Sequence, residues 1–414
     1  MDDSTRGAAP AAFAGGTRAR GSLVLFFGAL AALGPLSMDA YLPAIPSMAE
    51  EFGVGIVRLN NTLSVFLLGY ALGQFFGGSL SDQVGRKRIG TAGLALYLAT
   101  TFAIAFASSV EMMQWLRFVQ AIGSGFATVI CMASIRDVYP VEQLGRKFAT
   151  LTMVVLVAPL VAPALGSFLL AWGWRAIFLV KSAYALLLFG IYTTVVPETR
   201  SGRWRDWSLR ALFAQCARVV SRRVGGRLVP IRYAVAMALS VSVLMIFVTN
   251  ASFLYMQYFQ VSADRFPLYF GLSVLGFMSM NLFSMKRLTP VNAAAFFRVG
   301  LLIQIAAVAL LVLVLVLGAA SLATVVPLIV VAMSTLGLVG PAGSARYMGF
   351  FEQLAGSASS VYTTMMFSFG GLLGALTGVF YDGTPLPVIA VMLAATAAAN
   401  LIATSLPAQT ARRA

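Results

Sequence analysis

Gly78-Ser79-Leu80-Ser81-Asp82-Gln83-Val84-Gly85-Arg86-Lys87-Arg88 joins two apolar runs, each about the length that crosses a bilayer core of ~30 Å. Its chemistry is that of a short polar loop between two helices. Gly85 permits a tight turn. Asp82 can face the positive N-terminus of a neighbouring helix. The triplet Arg86-Lys87-Arg88 holds the loop on the cytoplasmic side of a membrane. Outward from this loop the pattern repeats along the chain. The spans expected from hydropathy are 22–46, 59–80, 89–108, 112–135, 148–170, 174–196, 232–259, 267–285, 295–318, 321–341, 356–380 and 386–406, with ends placed to within about 2–4 residues.

Composition agrees. The 414 residues are 59% hydrophobic and only 10% charged, too little charge to cover a soluble domain of this length. In lipid each run must satisfy its own backbone hydrogen bonds, so runs of this length are helices. The period-2 alternation of a membrane barrel is absent. The class is therefore an all-α membrane protein, and the length and continuity of the first run make it an uncleaved first helix rather than a signal peptide.

The net charge of +15 would suggest nucleic acid in a soluble protein. Its distribution says otherwise. With both termini cytoplasmic, 24 of the 29 Lys and Arg fall in inner segments and only Arg58, Arg175 and Arg265 in outer ones. Arg117 and Lys181 lie within spans. The long polar stretch 200–231 divides the spans six and six. Its Trp204, Trp207, Leu212, Phe213 and Val219 among arginines fit either an amphipathic helix on anionic lipid or a solvated basic linker. The organisation expected is a disordered tail at 1–21, a six-helix bundle at 22–199, the linker at 200–231, a second bundle at 232–406 and a cytoplasmic tail at 407–414. There is no His, and the two cysteines, Cys131 in a span and Cys216 in the linker, suit neither a disulfide nor a metal site. No metal, cofactor or nucleic acid is expected, and an enzyme's converging acid, base and nucleophile are missing.

The stretch 78–88 resembles the signature cytoplasmic loop of the major facilitator superfamily, G-x-L-x-D-x-x-G-R-[KR]-[KR]. The resemblance implies a fold of twelve helices in two six-helix bundles, with Gly78, Asp82, Gly85 and Arg86 forming a latch on the cytoplasmic side. Leu116-Arg117-Phe-Val-Gln120-Ala121-Ile-Gly123 is similar to the family's R-x-x-Q-G-x-G pattern, with Ala121 for a glycine. Ala158-Pro159-Leu-Val-Ala162-Pro163-Ala-Leu-Gly166-Ser167 resembles its antiporter motif, with small residues replacing three glycines. Ala158, Ala162 and Gly166 make a smooth stripe for close helix approach, and Pro163 permits a kink. Two further stripes, Gly69-Gly73-Gly77 and Gly370-Gly374-Gly378, lie on helices that face each other in that family, where they would allow sliding or simply tight packing.

Met38-Asp39-Ala-Tyr41-Leu42-Pro43, Arg136-Asp137-Val-Tyr139, Trp174-Arg175-Ala-Ile-Phe178 and Pro197-Glu198-Thr199 narrow the resemblance to the bicyclomycin- and chloramphenicol-resistance branch of bacterial drug:proton antiporters. The implied function is proton-coupled export of drugs or lipophilic metabolites across the cytoplasmic membrane, by a monomer exchanging small molecules and protons. Import or uniport of a nutrient or siderophore is the alternative on the same fold.

Of the 14 acidic residues, Asp39 alone falls clearly inside a span. It lies about seven residues, or ~10 Å, below the outer end of the first span. Arg117 lies at nearly the same depth, so the two could meet. A nearby cation favours the carboxylate and desolvation disfavours it, so a change in either would bind or release a proton. The alternative is a structural bond at Asp39 with Arg117 snorkelling outward. Lys181, at similar depth, is expected to snorkel, with an anion-attracting role as its alternative. Candidate substrate-lining residues are Tyr41, Ser124, Thr128, Phe247, Asn250, Phe253 and Tyr258, aromatic and sparsely polar.

Overall fold

The structure is a computed structural model that describes residues 17–199, 208–351 and 354–406. Most of the tail expected at 1–21, the tail at 407–414, and Trp204, Trp207 and Glu352 lie outside the described residues. Within them all regular structure is helical.

The first hydrophobic run is broken rather than continuous. It forms α1 (Thr17–Ala31), α2 (Leu33–Asp39), a 3-10 turn at Leu42–Ala44 and α3 (Ile45–Glu51). The proline positions explain the break. Pro43 has no N–H, so the Asp39 carbonyl loses the donor that a continuous helix would bring to it, and Pro46 does the same to Leu42. Long helices follow: α4 (Ile56–Val84), α5 (Arg86–Ile104), α6 (Val110–Val138), α7 (Val141–Leu169) and α8 (Trp174–Val195). Ser109 caps α6 by accepting the Met112 N–H at 3.2 Å. α7 runs uninterrupted through Pro159 and Pro163.

The polar stretch holds a helix, α9 (Leu209–Val220). Its Cys216 and Val219 are buried while Leu209, Phe213 and Val220 are exposed among arginines. It packs on α10 (Val229–Ser252) and α15 (Ala355–Val379), and Ser357 donates to Gln215 at 2.9 Å. α10 ends in a π-helical turn at Phe253–Tyr258. The remaining helices are α11 (Phe266–Arg287), α12 (Ala293–Val316), α13 (Leu322–Ser334), α14 (Leu336–Met348) and α16 (Leu386–Thr404). α13 and α14 are one expected span, interrupted at Thr335 and running on to Met348.

Among the described residues, ten segments are long and apolar enough to cross a membrane. α5 and α15 are diluted by Gly, Ser, Thr and, in α5, the basic triplet. Their 19 and 25 residues nonetheless extend roughly 28 and 37 Å at 1.5 Å per residue. Cys131 and Cys216 are free and buried, and burial pushes the Cys216 thiol up from its ordinary pKa.

The helices separate into two compact units. One comprises Met1–Tyr41 and Gly69–Ser208, the other Leu42–Leu68 and Leu209–Ala414. In the first, α5 packs on α6 and α8, and α1 and α2 pack on α6 and α7. A core of Phe27, Leu30, Leu94, Tyr97, Ile130, Ala185 and Tyr192 lies between them. In the second, α10 packs on α15 and α16, and α12 on α13, α14 and α16. Two proline-freed carbonyls in that unit find side-chain donors. Ser252 donates to Leu42 at 2.7 Å, filling the place Pro46 leaves empty. Ser284 donates to Gly337 at 2.6 Å, the carbonyl that Pro341 cannot serve.

Of the glycine stripes, Gly374 and Gly378 meet α4 as the resemblance implies, while Gly69, Gly73, Gly77 and Gly370 have other partners. Gly69, Gly73 and Gly77 face α6, where a Cβ on Gly73 would stand 2.5 Å from the Ile122 carbonyl oxygen. Gly370 faces Met245 of α10, whereas Gly374 and Gly378 lie against Ser64 and Asn61 on the N-terminal half of α4. One stripe of α4 therefore binds α6 and another face of the same helix meets α15. The periodicity fixes the stripe, but not which neighbour it receives.

Gly73→Ala forces backbone apart and should cost about 1–3 kcal/mol. Gly78→Ala, whose Cβ meets only a Val129 methyl at 3.2 Å, should stay close to the parent. Thermal unfolding of the two detergent-solubilised variants measures the difference.

Candidate functional site

Asp39 ends α2 and is 5% exposed. The helix stops there, leaving last-turn carbonyls without assured partners. Arg117, about two turns into α6 and fully buried, takes one of them: its Nη1 donates to the Ser37 carbonyl at 2.9 Å and to Gln120 Oε1 at 3.0 Å. Gln120 donates onward to Thr101 at 2.7 Å, and Thr101 to the Tyr97 carbonyl at 2.5 Å. The Ser37 hydroxyl and the Tyr97 hydroxyl share a 2.6 Å bond. The guanidinium also lies over the Tyr41 ring, 4.3 Å from its centroid. One polar network thus ties α2, α5 and α6 together inside the unit.

Asp39 stands beside this network without being captured by it. It makes no hydrogen bond and no ion pair within 4.0 Å among the described residues, although Arg117 is the charge that acts on it. Arg117 does not snorkel outward, and its hydrogen bonds go to a carbonyl and an amide. Gln120 was visible in the sequence as part of the R-x-x-Q pattern, and its i, i+3 spacing places it on the Arg117 face. Ser37, Tyr97 and Thr101 carried no such signal.

Lys181 corrects the expectation of snorkelling. It is 5% exposed on α8, and its Nζ lies 4.0 Å from the Phe178 ring centroid and 6.0 Å from that of Tyr41. Counting residues from a helix end gives depth, not the direction in which a side chain points. Tyr41, Phe178 and Trp174 form a continuous run of rings at about 6 Å spacing around it.

The other substrate-lining candidates divide between the two units. Tyr41 belongs to the network above. Ser124 and Thr128 lie along α6. Thr128 accepts from Tyr70 at 3.0 Å and donates to the Ser124 carbonyl at 3.0 Å, and the Ser124 hydroxyl has no partner among the described residues. In the second unit Phe247, Asn250 and Phe253 surround a cavity of only about 10 Å³, room for a single water. Asn250 donates to Thr377 at 3.1 Å, tying α10 to α15. Phe247 stacks on Phe270, and Phe253 sits edge-on to Tyr381. Tyr258 is not among the cavity's lining residues and is 40% exposed on the π-helical turn.

At the basic loop, Gly85 has φ +110°, which L side chains rarely adopt, and a Cβ there would meet the Glu198 carboxylate. Arg86 is buried. It pairs with Asp82 at 2.5 Å and Asp137 at 3.1 Å, and donates to the Ser81 hydroxyl at 2.6 Å. Asp82 is 60% exposed and Asp137 only 23%, so screening leaves Asp137 the stronger partner. Asp82 does not face a helix N-terminus; Glu198 does. Its carboxylate accepts the Arg86 and Lys87 N–H groups at 2.9 and 3.1 Å, while Tyr192 donates to the Arg86 carbonyl at 3.0 Å. An acid from the far end of α8 thereby caps α5. Gly78 lies one turn before Asp82 against Val129. On α7 the residues Ala158, Ala162, Pro163 and Gly166 are all buried, and α7 packs on α1 and α2.

Comparison with known proteins follows the same lines. The profile described as Major Facilitator Superfamily matches residues 25–375. A bicyclomycin resistance protein homolog of Haemophilus influenzae is 28% identical over 378 residues, 89% of this chain and 92% of the relative. A chloramphenicol resistance protein of Pseudomonas aeruginosa is 28% identical over 348 residues, 82% of this chain and 79% of the relative. Among solved structures, a D-xylose-proton symporter superposes with TM-score 0.77 at 14% identity, covering 95% of this chain and all of that one (100%). That likeness concerns the fold alone.

Glu198→Ala should cost about 0.5–2 kcal/mol through the lost cap. Glu198→Gln keeps an acceptor and should cost less. Thermal unfolding of the two variants in one detergent ranks them.

Proposed function

The chain belongs to the Major Facilitator Superfamily, and from that premise we propose that it is a proton-coupled exporter of drugs or small lipophilic metabolites, working by alternating access. The family consists of transporters rather than enzymes, and the chain is a multi-pass membrane protein. The proposal adds twelve spans, both termini cytoplasmic, the bacterial inner membrane and a monomeric state. Relatives bearing the names bicyclomycin resistance and chloramphenicol resistance, matched over most of their length, support export.

The observation that carries the coupling is the position of Asp39. A carboxyl group in a lipid-embedded bundle is costly and is retained for use. Here it lies beside a guanidinium whose Nη1 donates to the Ser37 carbonyl and to Gln120. Asp39 is therefore under the field of Arg117 without being locked in an ion pair. A change in hydration between two openings of the transporter shifts the balance between its protonated and ionised forms. A locked pair would hold one form throughout. Arg117 acts as the fixed counter-charge, and the breaks around Pro43 and Pro46 give the Asp39 backbone somewhere to move. The latch residues Gly78, Asp82, Gly85 and Arg86, with Asp137 and Glu198 added, close the basic end of the first unit in one state. The α7 stripe provides the smooth face on which α1 and α2 pack. Tyr41, Ser124, Thr128, Phe247, Asn250, Phe253 and Tyr258 are carried as substrate contacts made during the cycle.

In proteoliposomes, Asp39→Asn should abolish drug-driven proton flux, bringing it to the level of empty vesicles, while drug exchange across the membrane continues. Undiminished proton flux in that variant removes Asp39 from the coupling.

A further inference from the structure

The end of the second unit at which α10 begins and α16 finishes carries a groove that the transport scheme leaves without a task. It holds about 320 Å³ and is lined by Ile231, Arg232 and Val235 of α10, by Leu401 and Ile402 of α16, and by Ser405 just past that helix. Ligand pockets run from about 300 to 1,000 Å³, so a small ligand fits. Four of the lining residues are aliphatic, and Leu401 is 73% exposed. Both helices are long and apolar enough to cross a membrane. The first turn of one and the last turn of the other therefore set the groove at the bilayer boundary.

Arg232 is the one charged residue in this lining. Its side chain makes no hydrogen bond and no ion pair among the described residues. The end of α16 does not call on it. There the Leu406 carbonyl accepts from Arg298 of α12 at 2.5 Å, and the Ser405 hydroxyl donates to the Ile402 carbonyl at 2.6 Å. No acid answers it either. α9, α10, α12 and α16 hold neither Asp nor Glu, and Asp264 and Asp382 stand beyond the opposite ends of α10 and α16. Between Ser208 and Arg232 the chain has six arginines and no acid. Gly225 and Gly226, at φ 57° and 73°, close a tight turn in which Val224 and Arg227 exchange backbone hydrogen bonds at 2.9 and 3.2 Å. That turn fixes the exposed Arg227 two residues ahead of α10, with the exposed Arg222 and Arg223 just before it.

A free inorganic anion would pair with Arg232 and leave the aliphatic walls bare. A neutral lipid would cover the walls and leave the field of the arginines unanswered. An anionic phospholipid does both. We propose that the groove binds one anionic phospholipid, its phosphate paired with Arg232 and its first acyl carbons lying along Ile231, Val235, Leu401 and Ile402. Arg222, Arg223 and Arg227 concentrate such lipids at the groove. With both termini cytoplasmic, the lipid comes from the inner leaflet. The site does not depend on what the protein carries or in which direction.

The test uses the full-length protein in a neutral maltoside detergent, with native mass spectrometry counting the lipids bound at increasing lipid concentration. The probes are phosphatidylglycerol and phosphatidylcholine with the same acyl chains, the second carrying a choline cation that the arginines repel. The parent should bind phosphatidylglycerol about tenfold more tightly, and Arg232→Gln should bring that affinity down to the phosphatidylcholine value. Arg232 holds no other side chain among the described residues, so the substitution removes no internal bond. Arg265→Gln, an exposed arginine beyond the far end of α10, should match the parent. Equal binding of the two lipids by the parent, or an undiminished preference in Arg232→Gln, overturns the proposal. An equal loss in Arg265→Gln also overturns it, since diffuse charge attraction then accounts for the preference. Glycerol phosphate in excess should leave the phosphatidylglycerol in place. Its displacement would make the groove a site for free phosphate and overturn the assignment to lipid.

Discussion

Every carbonyl in a lipid-embedded helix needs a donor, and this chain repeatedly creates carbonyls that its own helices cannot serve. Pro46 strands Leu42, and Ser252 supplies the missing hydrogen. Pro341 strands Gly337, and Ser284 supplies it. The end of α2 strands Ser37, and Arg117 supplies it. Each donor comes from another helix. Breaking a helix therefore does not loosen the bundle, because the bond lost within one element is remade between two.

The Asp39 site follows from this habit. A guanidinium without partners would not stay inside the bundle, since burial of an unpaired charge is prohibitive. The interruption near Pro43 provides an acceptor at the right depth, and Gln120 passes the polarity on to Thr101 and Tyr97. Once Arg117 is held by neutral acceptors, its charge is left to act on Asp39 at a distance. The same logic appears at the basic loop, where the free N–H groups opening α5 are met by Glu198 and the turn before them demands a glycine.

Much of this is legible in the sequence, and the limits are physical. The approximate place of the membrane-crossing runs follows from their apolar length, because crossing a bilayer fixes a length. The interruptions in the first and tenth spans are less visible, since hydropathy averaged over a span hides Pro43, Pro46 and Pro341, although the prolines stand in plain view. Asp39 emerges by elimination, being the one acid far from any loop. What periodicity cannot supply is the identity of the neighbour. The stripe Gly69-Gly73-Gly77 is unmistakable, yet only tertiary packing assigns it to α6. Lys181 has the right depth, but its inward direction depends on how α8 turns against α5. Glu198 caps a helix that begins 112 residues earlier, a pairing no local pattern contains.

The two native thiols have a practical bearing. Cys131 is closed inside α6 and spends its hydrogen on the Ala127 carbonyl at 3.1 Å, and Cys216 is turned inward from α9. Neither presents a thiolate to an aqueous reagent. A cysteine introduced at an exposed helix end would then be the first to accept a maleimide or a nitroxide label. Pairs of such labels can report distances within the unmodified background, without prior removal of the two native thiols.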